Sequence, residues 1–256
     1  MIPLSDDNPT LRTPLMTYAL LAGTLGTWFW LQGGGFDPLA LAASVCNLGL
    51  VPGELTHRAA LGLAVPLGEG LACVVDDDPL NRYTVLTSMF LHGGWGHLLG
   101  NCLFLWVFGN NVEDSMGRLR FLVFYLVCGL AAAAAHVYID PASPVPTVGA
   151  SGAISGVMGA YLVLYPRVRV NMLFIIIIFI KIIPLPAWLV LLYWFGLQVL
   201  SALPQLNQVG EASGGVAVWA HVGGFVAGLL LIKLFARPEL TDRRSAWRHR
   251  LHPDHP

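Results

Sequence analysis

Apolar residues collect in six long stretches of the chain, separated by more polar segments. A helix needs about 20 mostly apolar residues to cross the hydrocarbon core of a bilayer. The stretches that approach this length are Pro14 to Leu31, Trp95 to Asn111, Leu119 to Tyr138, Ser151 to Tyr165, Pro186 to Leu203 and Val216 to Phe235. The pattern therefore predicts an all-α, polytopic membrane protein built as a bundle of six transmembrane helices.

One further apolar segment fits neither a span nor a loop. Val168 to Ile183 is rich in isoleucine, but it contains Lys181 and is too short to cross separately before Pro184 and Pro186. It could lie at the membrane interface or lengthen the fifth span. Because β-branched residues favour strands, it could also be extended. The pattern leaves the conformation of residues 168–185 open.

Composition agrees with a membrane protein. The 256 residues are 55% hydrophobic and 11% charged, whereas soluble domains are about 25% charged. The net charge of −1 comes with no basic patch interleaved with aromatic residues, so we expect no nucleic-acid partner. The lipid bilayer is the expected surrounding, and the sequence leaves the oligomeric state open.

Positive charge predicts the orientation, because Lys and Arg concentrate in cytoplasmic segments. Six spans place both termini on the same side of the membrane. The opposite side then holds only Arg58 and Arg82. The terminal side holds the other twelve of the 14 basic residues, Arg12, Arg118, Arg120, Arg167, Arg169, Lys181, Lys233, Arg237, Arg243, Arg244, Arg248 and Arg250. We expect both termini in the cytoplasm, in a bacterial plasma membrane.

This orientation divides the chain into three parts. Residues 1–13 are a predicted cytoplasmic N-terminus, residues 14–236 a membrane domain, and residues 237–256 a basic cytoplasmic tail. The connection at about 32–94 is a long outer loop, and long connections of this kind are usually functional.

The four cysteines do not indicate a metal site. No CxxC pair occurs among Cys46, Cys73, Cys102 and Cys128, so zinc is not expected. Cys46 and Cys73 share the outer loop and could pair in an oxidising compartment. Spacing alone does not establish that disulfide.

Polar residues from three predicted spans lie at one depth. His97 and Asn101 fall in the first two turns of the second span, and Ser151 opens the fourth. His221 lies about five residues into the sixth span, roughly 8 Å along a helix. Polar groups within a membrane are expensive and usually functional. The arrangement predicts Ser151 as a nucleophile and His221 as its general base.

Two further features fit this interpretation. His97 and Asn101 are four residues apart, so they share a helical face and could donate hydrogen bonds to an oxyanion. Gly152 and Gly156 in the fourth span, and Gly224 and Gly228 in the sixth, form small-xxx-small faces that allow close helix packing. No Asp or Glu occurs in these two spans, so a dyad is a simpler assignment than a triad.

Other interpretations account for single residues. A serine at a helix start is most often an N-cap, and a lone histidine in a span is often a structural hydrogen-bonding residue. His92, in the turn before the second span, is interpreted as a residue that orders this loop. A metal site is not expected, because no HExxH motif and no nearby acidic residue accompanies the histidines. No cofactor is predicted.

Four segments resemble the rhomboid family of intramembrane serine proteases. They are His92 to Asn101, Glu113 to Arg118, Gly149 to Gly152 and Ala220 to Gly228. The resemblance covers about residues 80–235 and implies a rhomboid-like six-helix core that cleaves transmembrane proteins near the outer membrane face.

The resemblance also implies residue roles. Ser151 would be the nucleophile and His221 the base, while His97, Asn101 and the Ser151 backbone N–H would form the oxyanion hole. Glu113 and Gly117 would organise the turn after the second span, and Gly149 belongs to the motif of the nucleophile. The fifth span and the 202–215 loop would control access of the substrate.

The chain departs from the family pattern at two places. Many relatives carry an aromatic residue four positions after the nucleophile, where it stacks on the catalytic histidine, and this chain has Ser155. A hydrogen bond from Ser155 is one way in which the ring could be held. The Trp-Arg pair of the first outer loop is not evident, and Arg82 is the nearest candidate.

Two alternatives to an intramembrane serine endopeptidase differ in class. The first is a rhomboid-like protein that binds transmembrane clients without cleaving them. Such proteins usually lack the serine or the histidine, and this chain has both. The second is a channel or small transporter, which would carry polar residues through the full thickness of the spans. The sequence does not identify the substrate or the organism.

Overall fold

The computed structural model describes residues 2–68, 70–176, 179–203 and 217–241, and these residues are mostly helical. The helices are α1 (Leu15–Gly26), α2 (Pro38–Leu48), α3 (Pro52–Leu55), α4 (Thr84–Thr87), α5 (Trp95–Met116), α6 (Arg118–Ile139), α7 (Ser151–Leu164), α8 (Ala187–Ala202) and α9 (Val218–Phe235). The strands are β1 (Ile2–Asp6), β2 (Ala64–Gly68), β3 (Leu71–Val74), β4 (Arg169–Ile176) and β5 (Phe179–Pro186).

The long helices lie at the six predicted ranges. Helix α1 continues through a π-helical turn, Thr27–Leu31, so the apolar helix reaches the predicted end of the first span. Within the described ranges, α6 and α9 are each long and apolar enough to cross a membrane. Helices α7 and α8 are apolar but shorter, and α1 reaches a similar length together with its π-helical turn.

Helix α7 lies at the centre of the fold. Every residue from Gly152 to Tyr161 is buried, and α5, α6 and α9 pack around it. Large side chains from these neighbours, including Phe108, Tyr125 and Phe225, are fully buried against it. A helix surrounded in this way needs small residues to admit its neighbours, and α7 supplies three glycines and two alanines.

The all-α prediction holds for most of the described residues but not for the N-terminus, and the segment that the sequence left open is extended. Strands β4 and β5 form an antiparallel hairpin that pairs Arg169 with Pro186 and Ile176 with Phe179. Strand β1 adds to β4 to give the order β1-β4-β5. The prolines near the end of β5 disfavour a helix, and they are tolerated because β5 is an edge strand.

The N-terminal residues pack against the helix bundle. The Leu11 backbone N–H donates to Asp114 (2.6 Å), and the Arg12 guanidinium contacts the same carboxylate (3.3 Å). Asp6 accepts hydrogen bonds from the Asn111 amide and the Tyr161 hydroxyl. Residues 2–13 therefore contribute to the described fold.

The long loop between α1 and α5 has its own structure. It contains α2, α3, α4 and the β2–β3 hairpin, and a disulfide between Cys46 and Cys73 links α2 to β3. Gln32 fastens the loop to the start of α5, because its amide donates to the His92 carbonyl and accepts from the His92 N–H, both at 2.9 Å. The 204–216 part of the predicted access loop and residues 242–256 of the basic tail lie outside the described residues.

Candidate active site

Ser151 and His221 are in direct contact. Ser151 is the first residue of α7, and His221 lies one turn into α9. The Ser151 Oγ and the His221 Nε2 are 2.7 Å apart, and the histidine is buried. This is the distance at which a serine hydroxyl can pass its proton to an imidazole.

Backbone contacts between glycines bring the two helices together. A Cβ added to Gly224 would lie 2.0 Å from the Gly152 carbonyl oxygen, and one added to Gly228 would lie 1.9 Å from the Gly156 oxygen. Both distances are far inside van der Waals contact. Only glycine at positions 224 and 228 therefore allows α7 and α9 this separation, which sets the distance within the Ser-His pair.

The turn before Ser151 also requires glycine. Gly149 has a φ of +132°, and its N–H donates to the Ser88 carbonyl at 2.9 Å. A Cβ at this position would lie 2.7 Å from the His97 ring. The absence of a side chain at Gly149 lets the His97 imidazole approach the backbone that leads into Ser151.

The hydrogen bonds of His97 determine its tautomer. The Gly93 N–H donates to His97 Nδ1 (3.4 Å), so a neutral ring carries its proton on Nε2. His97 lines the same cavity as Ser151 and His221, so this N–H is available to an oxygen bound there. Asn101 does not line this cavity, and its side-chain amide donates to the His97 carbonyl at 2.9 Å.

The Ser-His pair opens into a cavity of about 640 Å³. Small residues form much of its wall, among them Gly129, Ala132 and Ala133 of α6. The wall also includes His136, whose Nε2 lies 3.0 Å from the Thr147 hydroxyl. The space is large enough for several residues of an extended peptide and for water, both of which a hydrolytic reaction needs.

Of the two roles left open for Ser155, the structure does not support a hydrogen bond to the imidazole. Its hydroxyl donates to the Ser151 carbonyl at 2.6 Å, so it bonds back to the preceding turn and does not hold the imidazole. The His221 Nδ1 instead lies 2.8 Å from Gln198 Oε1, and the Trp194 ring lies 5.8 Å from the imidazole. Gln198 is not among the residues predicted from the sequence, although an amide inside an apolar span is a signal that sets it apart.

Comparison with known proteins decides the family. The model of the Rhomboid domain matches residues 79–238, more than half of the chain. The chain belongs to the rhomboid family. This confirms the resemblance drawn from the four sequence segments, and the matched range agrees with the predicted core. Members of this family are integral membrane proteins.

Several rhomboid proteins are similar to this chain. It is 35% identical over 141 residues to Rhomboid protease GluP of Bacillus subtilis (strain 168), covering 55% of this chain and 26% of that protein. It is 30% identical over 163 residues to Rhomboid protease AarA of Providencia stuartii, covering 59% of this chain and 54% of that protein. The chain spans about half or less of the length of these curated relatives.

The rhomboid residues Glu113 and Gly117 lie away from the dyad. Gly117 has a φ of +87° and joins α5 to α6. The Glu113 carboxylate faces the start of α1, where it accepts from the Met16 and Thr17 backbone N–H groups at 3.1 and 2.8 Å. Two of the N–H groups that a helix start leaves unpaired are thus satisfied by a side chain of another helix.

His92 and Arg82 both belong to the long loop between α1 and α5. His92 is fully buried, and its ring packs edge-on against His97 with the centroids 5.0 Å apart. Burial, reinforced by the neighbouring His97, lowers the pKa of His92 to about 4. The Arg82 guanidinium lies over the ring of the adjacent Tyr83 at 5.1 Å and makes no contact with the dyad within the described part of the chain.

Proposed function

We propose that this rhomboid protein is an intramembrane serine endopeptidase with Ser151 as nucleophile and His221 as general base. The observation that carries the proposal is the 2.7 Å contact between these side chains at the wall of an open cavity. A serine held as a helix cap or a histidine held as a structural residue needs no such cavity. The protease names of the relatives support the same reaction class.

The proposed reaction proceeds in two halves. The Ser151 Oγ attacks the scissile carbonyl carbon while its proton passes to His221 Nε2, and the carbonyl oxygen becomes an oxyanion. The His221 proton then moves to the leaving amine as the C–N bond breaks, leaving an ester on Ser151. Water, deprotonated by the same nitrogen, attacks this ester, and the proton passes from His221 to the Ser151 Oγ as the C–O bond breaks and the new carboxyl terminus is released.

Donors for the oxyanion are proposed on α5 and at the start of α7. The His97 Nε2–H is directed by the Gly93 hydrogen bond and lines the cavity. The Ser151 backbone N–H lies in the first turn of α7, where it needs no helical partner. The Asn101 amide has a second N–H beyond the one bonded to the His97 carbonyl, and this N–H is proposed as a further donor to the oxyanion.

We propose that the six long helices cross the membrane with both termini in the cytoplasm. Helix α7 has 14 residues and is therefore about 21 Å long, shorter than the roughly 30 Å hydrocarbon core. If its C-terminal end lies at the inner face, Ser151 lies below the outer face. The dyad would then meet transmembrane substrates in the outer part of the bilayer of a bacterial plasma membrane.

The proposal is tested with a fluorescent fluorophosphonate and a transmembrane substrate in liposomes. Wild type should label and cleave, whereas Ser151→Ala and His221→Ala should each lose nearly all of both activities because the pair acts as a unit. The folding control is the melting temperature of each variant. A Ser151→Ala variant that still cleaves would refute the assignment, and a wild type that binds substrate without labelling would favour a non-cleaving client binder.

A further inference from the structure

An amide from a third helix contacts the side of the His221 ring opposite Ser151. Gln198 lies on α8, whereas the Ser-His pair belongs to α7 and α9. The Gln198 Oε1 lies 2.8 Å from His221 Nδ1, while the Ser151 Oγ lies 2.7 Å from Nε2. Both nitrogens of the imidazole are therefore engaged, each by a different helix.

We propose that Gln198 is a positioning residue that selects the catalytic tautomer of His221, an inference that rests on the proposed function. An amide oxygen only accepts hydrogen bonds, so the facing Nδ1 carries the proton. The Nε2 then presents a lone pair to the Ser151 hydroxyl. This is the protonation state in which His221 can act as the general base.

Among the described residues near the dyad, the acceptor for His221 Nδ1 comes from α8. Neither α7 nor α9 contains an Asp or Glu, so neither offers a carboxylate to Nδ1. The Ser155 hydroxyl, which occupies the family's aromatic position, donates to the Ser151 carbonyl. Gln198 therefore supplies the acceptor that the two helices of the dyad lack.

Helix α8 also restrains the plane of the ring. Trp194 lies four residues before Gln198, so both side chains are on one face of α8. The Trp194 ring is 5.8 Å from the imidazole at an interplanar angle of 40°. Phe195, the residue after Trp194, stacks on Phe225 of α9 with the ring centroids 4.4 Å apart. This packing fixes α8 against α9 and with it the distance from Gln198 to the imidazole.

The contribution of Gln198 should be largest in the transition state. When His221 takes the serine proton it becomes an imidazolium, and the bond from Nδ1–H to Gln198 becomes charge-assisted. Hydrogen bonds to charged groups are stronger than neutral ones. Loss of the acceptor should therefore lower kcat and leave KM nearly unchanged, because substrate binding does not use this bond.

The test compares three variants in liposomes. Gln198→Met keeps the length but removes the acceptor, and we expect kcat to fall roughly 10- to 100-fold, the range for a hydrogen bond to a charged group. Gln198→Glu retains an acceptor oxygen and should keep most of the activity. Leu230→Met is the control, because Leu230 is 70% exposed on α9 and lies outside the predicted access elements, and its kinetics should equal wild type.

Nitrogen NMR of ¹⁵N-histidine protein provides a readout independent of cleavage. The His221 signal, assigned by its loss in His221→Ala, should show a protonated Nδ1 in wild type and in Ser151→Ala, and a mixture of tautomers in Gln198→Met. Unchanged kcat in a folded Gln198→Met, equal losses in the Glu and Met variants, or a protonated Nε2 in wild type would each overturn the inference. Absence of cleavage by wild type would refute the protease and leave the tautomer measurement to decide the role of Gln198.

Discussion

Replacement of Gly224 by valine should inactivate the protein through the separation of two helices. A Cβ at this position would lie 2.0 Å from the Gly152 carbonyl oxygen and 3.0 Å from its carbonyl carbon. Ordinary Cβ contacts begin at about 3.4 Å, so the backbones would have to move apart by more than 1 Å. Neither partner can yield locally, because both atoms belong to helix backbones.

The expected loss follows from the geometry of the dyad. Ser151 and His221 lie on the separated helices, one and three residues from the clash. A displacement of 1 Å or more would stretch their 2.7 Å contact beyond hydrogen-bond length. A misplacement of about 1 Å can cost roughly 10²-fold in rate, so we expect at least that loss in cleavage. The melting temperature should fall as well, because overpacking typically costs about 1–3 kcal/mol.

The assay combines fluorophosphonate labelling, cleavage in liposomes and thermal unfolding. Gly224→Ala should already be impaired, since its Cβ makes the same clash. Gly23→Ala is the matched control, because Gly23 lies within α1 and no atom would meet its added Cβ within 4 Å. Full activity and unchanged melting of Gly224→Val would show that α7 and α9 do not touch at this point and would refute the reasoning.

Three further predictions concern the surroundings of the dyad. Asn101→Ala should lower kcat by about 10²–10³, the value of one oxyanion donor, and a raised KM with unchanged kcat in steady-state kinetics would contradict this role. Ser155→Ala should cleave nearly as well as wild type, because it removes only a hydrogen bond back to its own helix. Ser155→Tyr should not cleave, because the site is fully buried and has no room for the ring. A cleavage assay of the two variants tests both expectations. The pKa of His92 is lowered to about 4, below its unfolded value of 6.5. The contribution of neutral His92 to stability is therefore complete above pH 6.5 and is lost as the pH falls towards 4. The melting temperature of His92→Phe, measured across this range, should depend less on pH than that of the wild type.

The helices of the bundle could be read from the sequence because the membrane imposes a strong pattern. Long apolar stretches separated by polar segments located α1, α5, α6, α7, α8 and α9 within a few residues. Positive charge predicted an orientation, and with this orientation four polar residues were predicted to lie at one depth. The contact between Ser151 and His221 could be anticipated in this way without any knowledge of the fold.

Other features could not be obtained because their causes are not local. The β4–β5 hairpin is stabilised in part by β1, which is more than 150 residues away in the chain, so the segment itself left three structures open. The pairing of Cys46 with Cys73 depends on the fold of the outer loop. Gln198 was missed for the same reason, since an amide in an apolar span stands out in the sequence but does not show that it contacts His221 on another helix.

The two ends of α7 show why a polar residue inside a span is not by itself evidence of catalysis. At the end away from the dyad, the Tyr161 hydroxyl and the Asn111 amide both donate to Asp6. Glu113, on the neighbouring α5, pairs with backbone N–H groups of α1. These groups are buried among protein partners and tie the N-terminal residues to the bundle, so they stabilise structure.

At the dyad end, polar groups face a cavity. The Ser151 hydroxyl and the His221 and His97 rings all line the open space. Polar groups in a membrane are costly and mark functional sites, so a set of polar groups that lines a cavity favours binding or catalysis over a purely structural role. Catalytic and structural polar groups therefore differ in whether they face a cavity or protein partners, and only the folded structure shows which they face. On this criterion Glu113→Gln should lower the melting temperature while the folded fraction still cleaves, and a folded Glu113→Gln protein without activity would show that the two ends of α7 are not separable.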